Sequence, residues 1–106
     1  MAKRFYVKSD TPLREEGFYI KEGTTVTGVK PIISGRKIRD AQELVDAYIL
    51  PNGKKTKVDD WHKCRGTANI TNGETTYKNC EIHWYFCENI GKVDFKVKVW
   101  GEKDED

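Results

Sequence analysis

The sequence predicts an α+β fold in which one α-helix packs on one face of an antiparallel β-sheet. Two runs near the C-terminus, 77–87 and 93–100, alternate apolar and polar residues as strands do. A short loop carrying Asn89 and Gly91 joins them, so we expect an antiparallel hairpin. Helical spacing of apolar residues is sustained at 36–50, which predicts the single main helix.

Three short apolar segments, at 4–8, 17–21 and 24–29, predict strands in the N-terminal third of the chain. Because only two residues separate the second segment from the third, we expect these two to pair as an N-terminal hairpin. The helix should then begin after a cap at Ser34 and end before Pro51.

The segment after the helix predicts a helical turn and a second hairpin. Residues 58–64 indicate a short helical turn anchored by Trp61. The dipeptide of Asn72 and Gly73 is a strong two-residue turn signal, so it predicts that a strand at 66–70 pairs with the strand at 77–87. With the C-terminal hairpin this makes a three-stranded meander, and the expected order is β-β-β-α-β-β-β.

The length of 106 residues indicates a single domain over residues 1–106. The net charge of +2 does not by itself indicate nucleic-acid binding. Residues 102–106 form a mostly acidic tail, so the preceding chain is more basic than the total shows. No apolar run is long enough to span a membrane and no signal peptide is evident, which predicts a cytoplasmic protein unless a larger carrier delivers it.

The three cysteines are expected to be free thiols. An odd number of cysteines argues against a disulfide framework. Side chains alternate between the two faces along a strand, and one of Cys80 and Cys87 has an even number and the other an odd number, so they should face opposite sides of the sheet. A zinc site would combine thiols with His62 and His83, but the chain has no C-x2-C or H-x3-H spacing. We therefore expect neither a metal nor another cofactor.

Titratable side chains converge on the polar face of the C-terminal hairpin. With a four-residue loop, the register predicts these cross-strand pairs: Cys87 with Lys92, Tyr85 with Asp94, His83 with Lys96 and Glu81 with Lys98. A histidine can act as a general base near pH 7 and lysines can stabilise a phosphorane, which suits metal-free RNA cleavage. The alternative interpretation is a solvated face with ordinary cross-strand charge pairs.

Parity also assigns the two faces of this hairpin. Trp84 belongs to the apolar set, so it should be buried beneath the helix, whereas His83 should be exposed in a cleft or on the open face. A second basic cluster surrounds Trp61, and it either binds single-stranded nucleic acid beside aromatic rings or is a solvated loop. Its members are Lys54, Lys55, Lys57, Lys63 and Arg65.

Four motifs in order resemble C-terminal domains of bacterial polymorphic toxins and phage-associated proteins, over roughly residues 25–100. The motifs are Ile38-Arg39-Asp40, Asp60-Trp61 with Lys63, Glu81 with His83-Trp84-Tyr85, and Phe95-Lys96 with Lys98. Such domains are grouped with the barnase–EndoU–colicin–RelE-like ribonuclease fold. The resemblance therefore implies a bacterial or phage-encoded ribonuclease that acts on RNA and has a cognate inhibitor protein as partner.

Two functions are expected from these observations. The first is a metal-independent RNA endonuclease with His83 as general acid or base, Lys96 and Lys98 stabilising the phosphorane, and Arg39, Lys63 and Tyr85 binding the substrate. The second is a non-catalytic, phage-associated accessory module that binds nucleic acid or protein. The sequence leaves this choice open, because no second sharply marked catalytic residue accompanies His83.

Overall fold

The computed structural model describes residues 3–104. Its elements are β1 Lys3–Tyr6, β2 Thr11–Pro12, β3 Tyr19–Ile20, β4 Thr25–Ser34, a 3-10 turn Gly35–Lys37, α1 Ala41–Ala47, a 3-10 turn Val58–Asp60, β5 Trp61–Thr71, β6 Thr76–Cys87, β7 Gly91–Val99 and β8 Glu102–Lys103. The strands pair antiparallel and one α-helix packs on the sheet, which confirms the predicted α+β class. Within this range no helix has the length and hydropathy needed to cross a membrane.

Strands β5 and β6 form the centre of the sheet. β7 pairs with the outer edge of β6, which confirms the predicted meander, and β4 pairs with the other edge of β5. β1 lies outside β4, while the short β2–β3 pair joins the far end of β5. β8 pairs with the start of β6, so part of the predicted acidic tail is a strand, and residues 105–106 lie outside the described range.

The turn between β5 and β6 lies at 72–75, where the sequence predicted a hairpin. The Asn72 side-chain oxygen accepts hydrogen bonds from the backbone N–H groups of Glu74 (2.9 Å) and Thr75 (2.7 Å). Gly73 adopts φ +93°, a backbone conformation that favours glycine. The connecting loop has four residues between the paired Thr71 and Thr76 rather than the expected two.

The loop between β6 and β7 has three residues rather than four, and this changes the predicted register. The observed pairs are Cys87 with Gly91, Tyr85 with Val93, His83 with Lys96 and Glu81 with Val99. Of the expected pairs, only His83 with Lys96 is present. Asp94, at φ +58°, lies where the register shifts, and the residue inserted there compensates for the shorter loop.

Both faces of β6 are buried, by different partners. Trp84 faces a core built with the N-terminal strands, whose members include Val7, Leu13, Ile20, Val26 and Phe95. Tyr85 and Cys87 face the other way and pack with Trp61 and α1. The prediction that the helix covers Trp84 is therefore wrong, because the helix covers the face expected to be polar. Cys80 and Cys87 do lie on opposite faces, as predicted.

The N-terminal strands pair differently from the prediction. The segments at 17–21 and 24–29 do not form a hairpin with each other; β3 pairs with β2, and β4 pairs with β1 and β5. The connection between them is a turn in which Thr24 N–H donates to the Lys21 carbonyl and Gly23 N–H donates to the Val7 carbonyl. These bonds direct the chain toward β1 instead of back along β3.

The helix is shorter than its apolar periodicity predicted. It spans seven residues, Ala41–Ala47, because Gly35 adopts φ +59° and the chain first forms a 3-10 turn. Ser34 does not cap a helix; its hydroxyl lies 2.7 Å from His62 Nδ1. The predicted helical turn at 58–64 is limited to Val58–Asp60, and Trp61 begins β5.

The segment after β2 closes over the outer edge of β7. The backbone N–H of Arg14 donates to the Phe95 carbonyl (2.9 Å), and the Glu15 carboxylate accepts from the Val97 N–H (3.0 Å). The Arg14 guanidinium also forms a salt bridge with Asp94, the residue at the register shift. We call these two residues, Arg14 and Glu15, the edge clasp.

Candidate functional site

A cleft of about 360 Å³ opens between the segment that leads into α1 and the sheet face that carries Tyr85. It is lined by Ile33, Lys37, Ile38, Arg39, Asp40, Lys63, Tyr85, Lys96 and Lys98. We call it the basic cleft. Five of the six site residues predicted from the sequence meet there, namely Arg39, Lys63, Tyr85, Lys96 and Lys98.

The register of the central strands brings the sheet side chains of the basic cleft together. Lys63 on β5 is the cross-strand partner of Tyr85 on β6. Lys96 on β7 is the partner of His83, two residues before Tyr85. Cross-strand partners project from the same side of an antiparallel pair, so these four side chains share one face. Lys98, which is also on β7, lines the cleft as well. It lies close to a second register shift between β6 and β7, which falls between Glu81 and Ile82.

The short helix leaves this face partly uncovered. α1 packs on the end of the face that carries Trp61, Tyr85 and Cys87. The adjoining part of the same face carries Lys63 and Lys96, which α1 does not bury. The boundary between the covered apolar part and the uncovered basic part is where the basic cleft forms.

The basic cleft is strongly cationic. Its lining includes five cationic side chains, Lys37, Arg39, Lys63, Lys96 and Lys98, against the single carboxylate of Asp40. Partial burial lowers the pKa of Lys63, and the nearby charges of Lys96 and Lys98 lower it further. Bringing these cations together without a matching set of carboxylates favours an anionic ligand.

Tyr85 supplies a neutral hydrogen-bond donor to the cleft. It is only 7% exposed, and burial raises the pKa of its phenol, with the charge of Asp40 acting in the same direction. The hydroxyl therefore stays protonated at neutral pH. It can donate to an oxygen of an anion held by the surrounding lysines.

His83 does not line the cleft, and the prediction that it is exposed is wrong. It lies on the same face between Arg65 and Lys96, but it is 6% exposed because the long side chains on both neighbouring strands flank the central one. Its Nε2 lies 2.8 Å from the Glu81 carboxylate, and that carboxylate is also 3.7 Å from Arg65 Nη1. Its Nδ1 is buried and has no hydrogen-bond partner among the described residues.

Burial lowers the pKa of His83, although the hydrogen bond that the imidazole donates to Glu81 opposes the shift. The imidazole is therefore neutral at pH 7. A carboxylate can only accept, so Nε2 carries the proton and donates it to Glu81, and Nδ1 keeps its lone pair. A neutral imidazole also adds no further positive charge beside Lys63 and Lys96.

His83 should make stability depend on pH. The unfolded chain binds a proton near its ordinary pKa of about 6.5, while the folded protein does so only at lower pH. The stability is therefore present above about pH 6.5 and is lost as pH falls toward the folded pKa. We expect the Tm to fall between pH 7.5 and pH 5, and to fall less in His83→Gln, whose amide can still donate to Glu81.

The matched control for this experiment is His62→Gln, which changes a partly exposed histidine on the neighbouring strand. Because His83 and Glu81 are unchanged in this variant, the loss of Tm that we assign to His83 should remain. An unchanged pH dependence in His83→Gln would show that protonation of His83 does not limit stability.

The sequence did not predict Lys37 or Asp40 as site residues. Asp40 is part of the Ile38-Arg39-Asp40 motif and Lys37 directly precedes it, so this motif was the available signal for both. Glu81, the partner of His83, belongs to a motif as well but was not predicted as a site residue. In the second predicted basic cluster, only Lys63 reaches the cleft; the loop lysines at 54–57 do not line it.

Metal-ligating side chains are dispersed. Across residues 3–104 no three His, Cys, Asp or Glu side chains converge to hold a metal ion. Cys64, Cys80 and Cys87 are free and buried, and burial raises the pKa of each thiol. Buried thiols of this kind pack as small apolar side chains.

Comparison with known protein families, with curated proteins and with solved structures finds no match to this chain. We therefore infer function from the geometry and charge of the basic cleft.

Proposed function

We propose that this chain is a metal-independent RNA endonuclease that binds the RNA backbone in the basic cleft. The observation that carries the proposal is the convergence of five cationic side chains, from the segment before α1 and from β5 and β7, on a cleft that Tyr85 also lines. Each phosphodiester of RNA carries one negative charge, and lysines and arginines in a groove are the usual means of binding it. Fixed positive charge also stabilises the phosphorane that forms during cleavage.

The proposed reaction uses Lys63 as the general base. Its lowered pKa makes the neutral amine more accessible than in an ordinary lysine. Neutral Nζ takes the proton of the ribose 2′-hydroxyl, the 2′-oxygen bonds to phosphorus, and the bond from phosphorus to the 5′-oxygen breaks. The 5′-oxygen leaves with a proton from an exposed ammonium of the cleft, giving a 2′,3′-cyclic phosphate and a 5′-hydroxyl.

The other side chains of the cleft stabilise and orient the phosphate. Lys96 and Lys98 face the developing charge, while Arg39 and Tyr85 hold the phosphate oxygens. His83 acts as a positioning residue beneath them: its neutral imidazole, held by Glu81, lets the lysines approach without added repulsion.

The burial of His83 favours a second candidate function. A histidine that does not reach the cleft leaves no imidazole to exchange protons with a bound RNA. On this alternative, the same basic cleft binds RNA without cleaving it, as an accessory module would.

The two functions predict different products from one assay. Purified protein incubated with RNA in EDTA should give fragments that end in 2′,3′-cyclic phosphate if the chain is the endonuclease.

The double variant Lys96→Ala, Lys98→Ala should weaken RNA binding and lower the slope of log affinity against log salt by about 1.4, because two phosphate contacts are lost. The matched control is the double variant Lys54→Ala, Lys55→Ala, which removes the same charge outside the cleft. It should change neither the affinity for RNA nor the slope of its salt dependence.

If the RNA stays intact and its binding still depends on Lys96 and Lys98, the chain is the non-catalytic module. Affinity for RNA that does not depend on these two lysines would contradict both functions.

A further inference from the structure

We infer that the bound RNA strand continues from the basic cleft, across β4, to a second nucleotide-binding pocket on the opposite face of the sheet. The inference rests on the proposed function and extends it: the substrate is single-stranded and several nucleotides long. Three adjoining cavities and the residues they share carry it.

The second pocket lies on the face that carries Trp84. It has a volume of about 470 Å³, which is within the range of small-molecule sites. Its lining residues are Lys3, Val29, Lys30, Pro31, His62, Cys64, Trp84, Phe86 and Lys92. The pocket therefore combines an apolar floor with three lysines, and the proposed reaction uses none of these residues.

This combination suits a nucleotide. Lys92 Nζ lies 4.3 Å from the ring centroid of Phe5 and 5.9 Å from that of Phe86, so the ammonium stands beside aromatic rings. Phe86 is only partly buried. A base can pack against the Phe86 ring while its phosphate meets Lys92 or Lys30, which is how single strands are bound without sequence preference.

A third cavity connects the two sites. It has a volume of about 510 Å³ and follows β4 along residues 31–34, with Lys37 at one side. It shares Pro31 with the second pocket, and it shares Ile33 and Lys37 with the basic cleft. Because neighbouring cavities share these residues, the three lie in sequence around β4, and the proposed strand follows them as one groove from one face of the sheet to the other.

The path of this groove selects the form of the nucleic acid. A strand that follows it must turn from one face of a sheet to the other. A flexible single strand can make this turn, whereas a stiff duplex cannot follow it. Lysines line each part of the path, from Lys96 and Lys37 to Lys30 and Lys92, and Asp40 is the single carboxylate among the lining residues.

The test measures how affinity depends on the length of the RNA. A 2′-O-methyl decamer, which cannot be cleaved through its 2′-oxygen, and a matching dinucleotide are titrated against the full chain. Lys30→Ala, Lys92→Ala should bind the decamer about tenfold more weakly, because two phosphate contacts are lost, and should bind the dinucleotide as the wild type does. Phe86→Leu should also weaken decamer binding, by about tenfold if one base packs on the ring.

Lys8→Ala, Lys21→Ala is the matched control, since both lysines are exposed and line none of the three cavities. Circular dichroism of each variant checks that the fold is retained. Wild-type affinity of Lys30→Ala, Lys92→Ala for the decamer would overturn the inference, and so would an equal loss for the dinucleotide. A loss of decamer affinity in this variant but not in Lys96→Ala, Lys98→Ala would instead refute the role of the basic cleft.

Discussion

Trp84→Ala is expected to lower the free energy of unfolding by about 3–5 kcal/mol, a large part of the total for a domain of this size. The indole is 1% exposed in the core formed with the N-terminal strands. Its ring stacks on Phe95 with centroids 5.4 Å apart and meets Phe5 edge-on at 5.5 Å. A Cβ added to Gly66 would lie 2.9 Å from the ring, so the indole packs directly against the β5 backbone.

Urea or thermal denaturation measures this loss, and Trp100→Ala is the matched control. Trp100 is 44% exposed and contacts Phe18 and Tyr77 at the edge of the sheet. Its replacement should cost less than that of Trp84, about 1–3 kcal/mol, mainly from the two lost aromatic pairs. Equal losses in the two variants would mean that Trp84 is not the centre of the larger core.

Lys63→Arg is expected to reduce the rate of RNA cleavage by about 10²–10⁴-fold, the usual contribution of a general base. Arginine keeps the positive charge but does not lose its proton near neutral pH, so it cannot accept the proton of the 2′-hydroxyl. RNA affinity should therefore change little while cleavage is lost. In the wild type, log kcat/KM should rise with pH until it reaches the lowered pKa of Lys63, below the ordinary value of 10.5.

Lys96→Arg provides the comparison, because Lys96 is proposed to act through its charge alone. It should keep most of the cleavage activity. A Lys63→Arg protein that cleaves RNA as fast as the wild type would exclude Lys63 as the base. If Lys63→Arg is fully active and His83→Gln loses its cleavage activity, the general base is the buried imidazole of His83.

The sequence predicted β6 and β7 well because both alternate residue types over long runs, but it placed only residues 66–70 of β5 in a strand and assigned the start of β5 to a helical turn. It did not predict which face of β6 is covered by the helix. Alternation identifies two faces, but Tyr85 and Cys87 are apolar enough to be buried, and Trp84 is buried by strands distant in sequence. The choice between the faces depends on these tertiary contacts.

Local backbone conformation explains the other differences. The loop between β6 and β7 is one residue shorter than predicted, and the residue inserted at Asp94 shifts the register back by one. His83 and Lys96 therefore pair as predicted, although the predicted loop length was wrong. The helical spacing of Ile38 and Tyr48 correctly indicates burial beside α1, but both residues lie outside the helix.

Most of the candidate site was nevertheless predicted. The lysines and Tyr85 reach the cleft because their parity on the strands places them on one face. The burial of His83 could not be read from parity, since it depends on the side chains of the two neighbouring strands.

The edge clasp has a consequence for self-association. A strand at the edge of a sheet offers unpaired N–H and C=O groups, and another chain can add a strand there and begin an aggregate. In β7, the Phe95 carbonyl and the Val97 N–H are already bonded to Arg14 and Glu15. The clasp thus blocks strand addition at the middle of β7, where two apolar residues, Phe95 and Val97, would otherwise favour it.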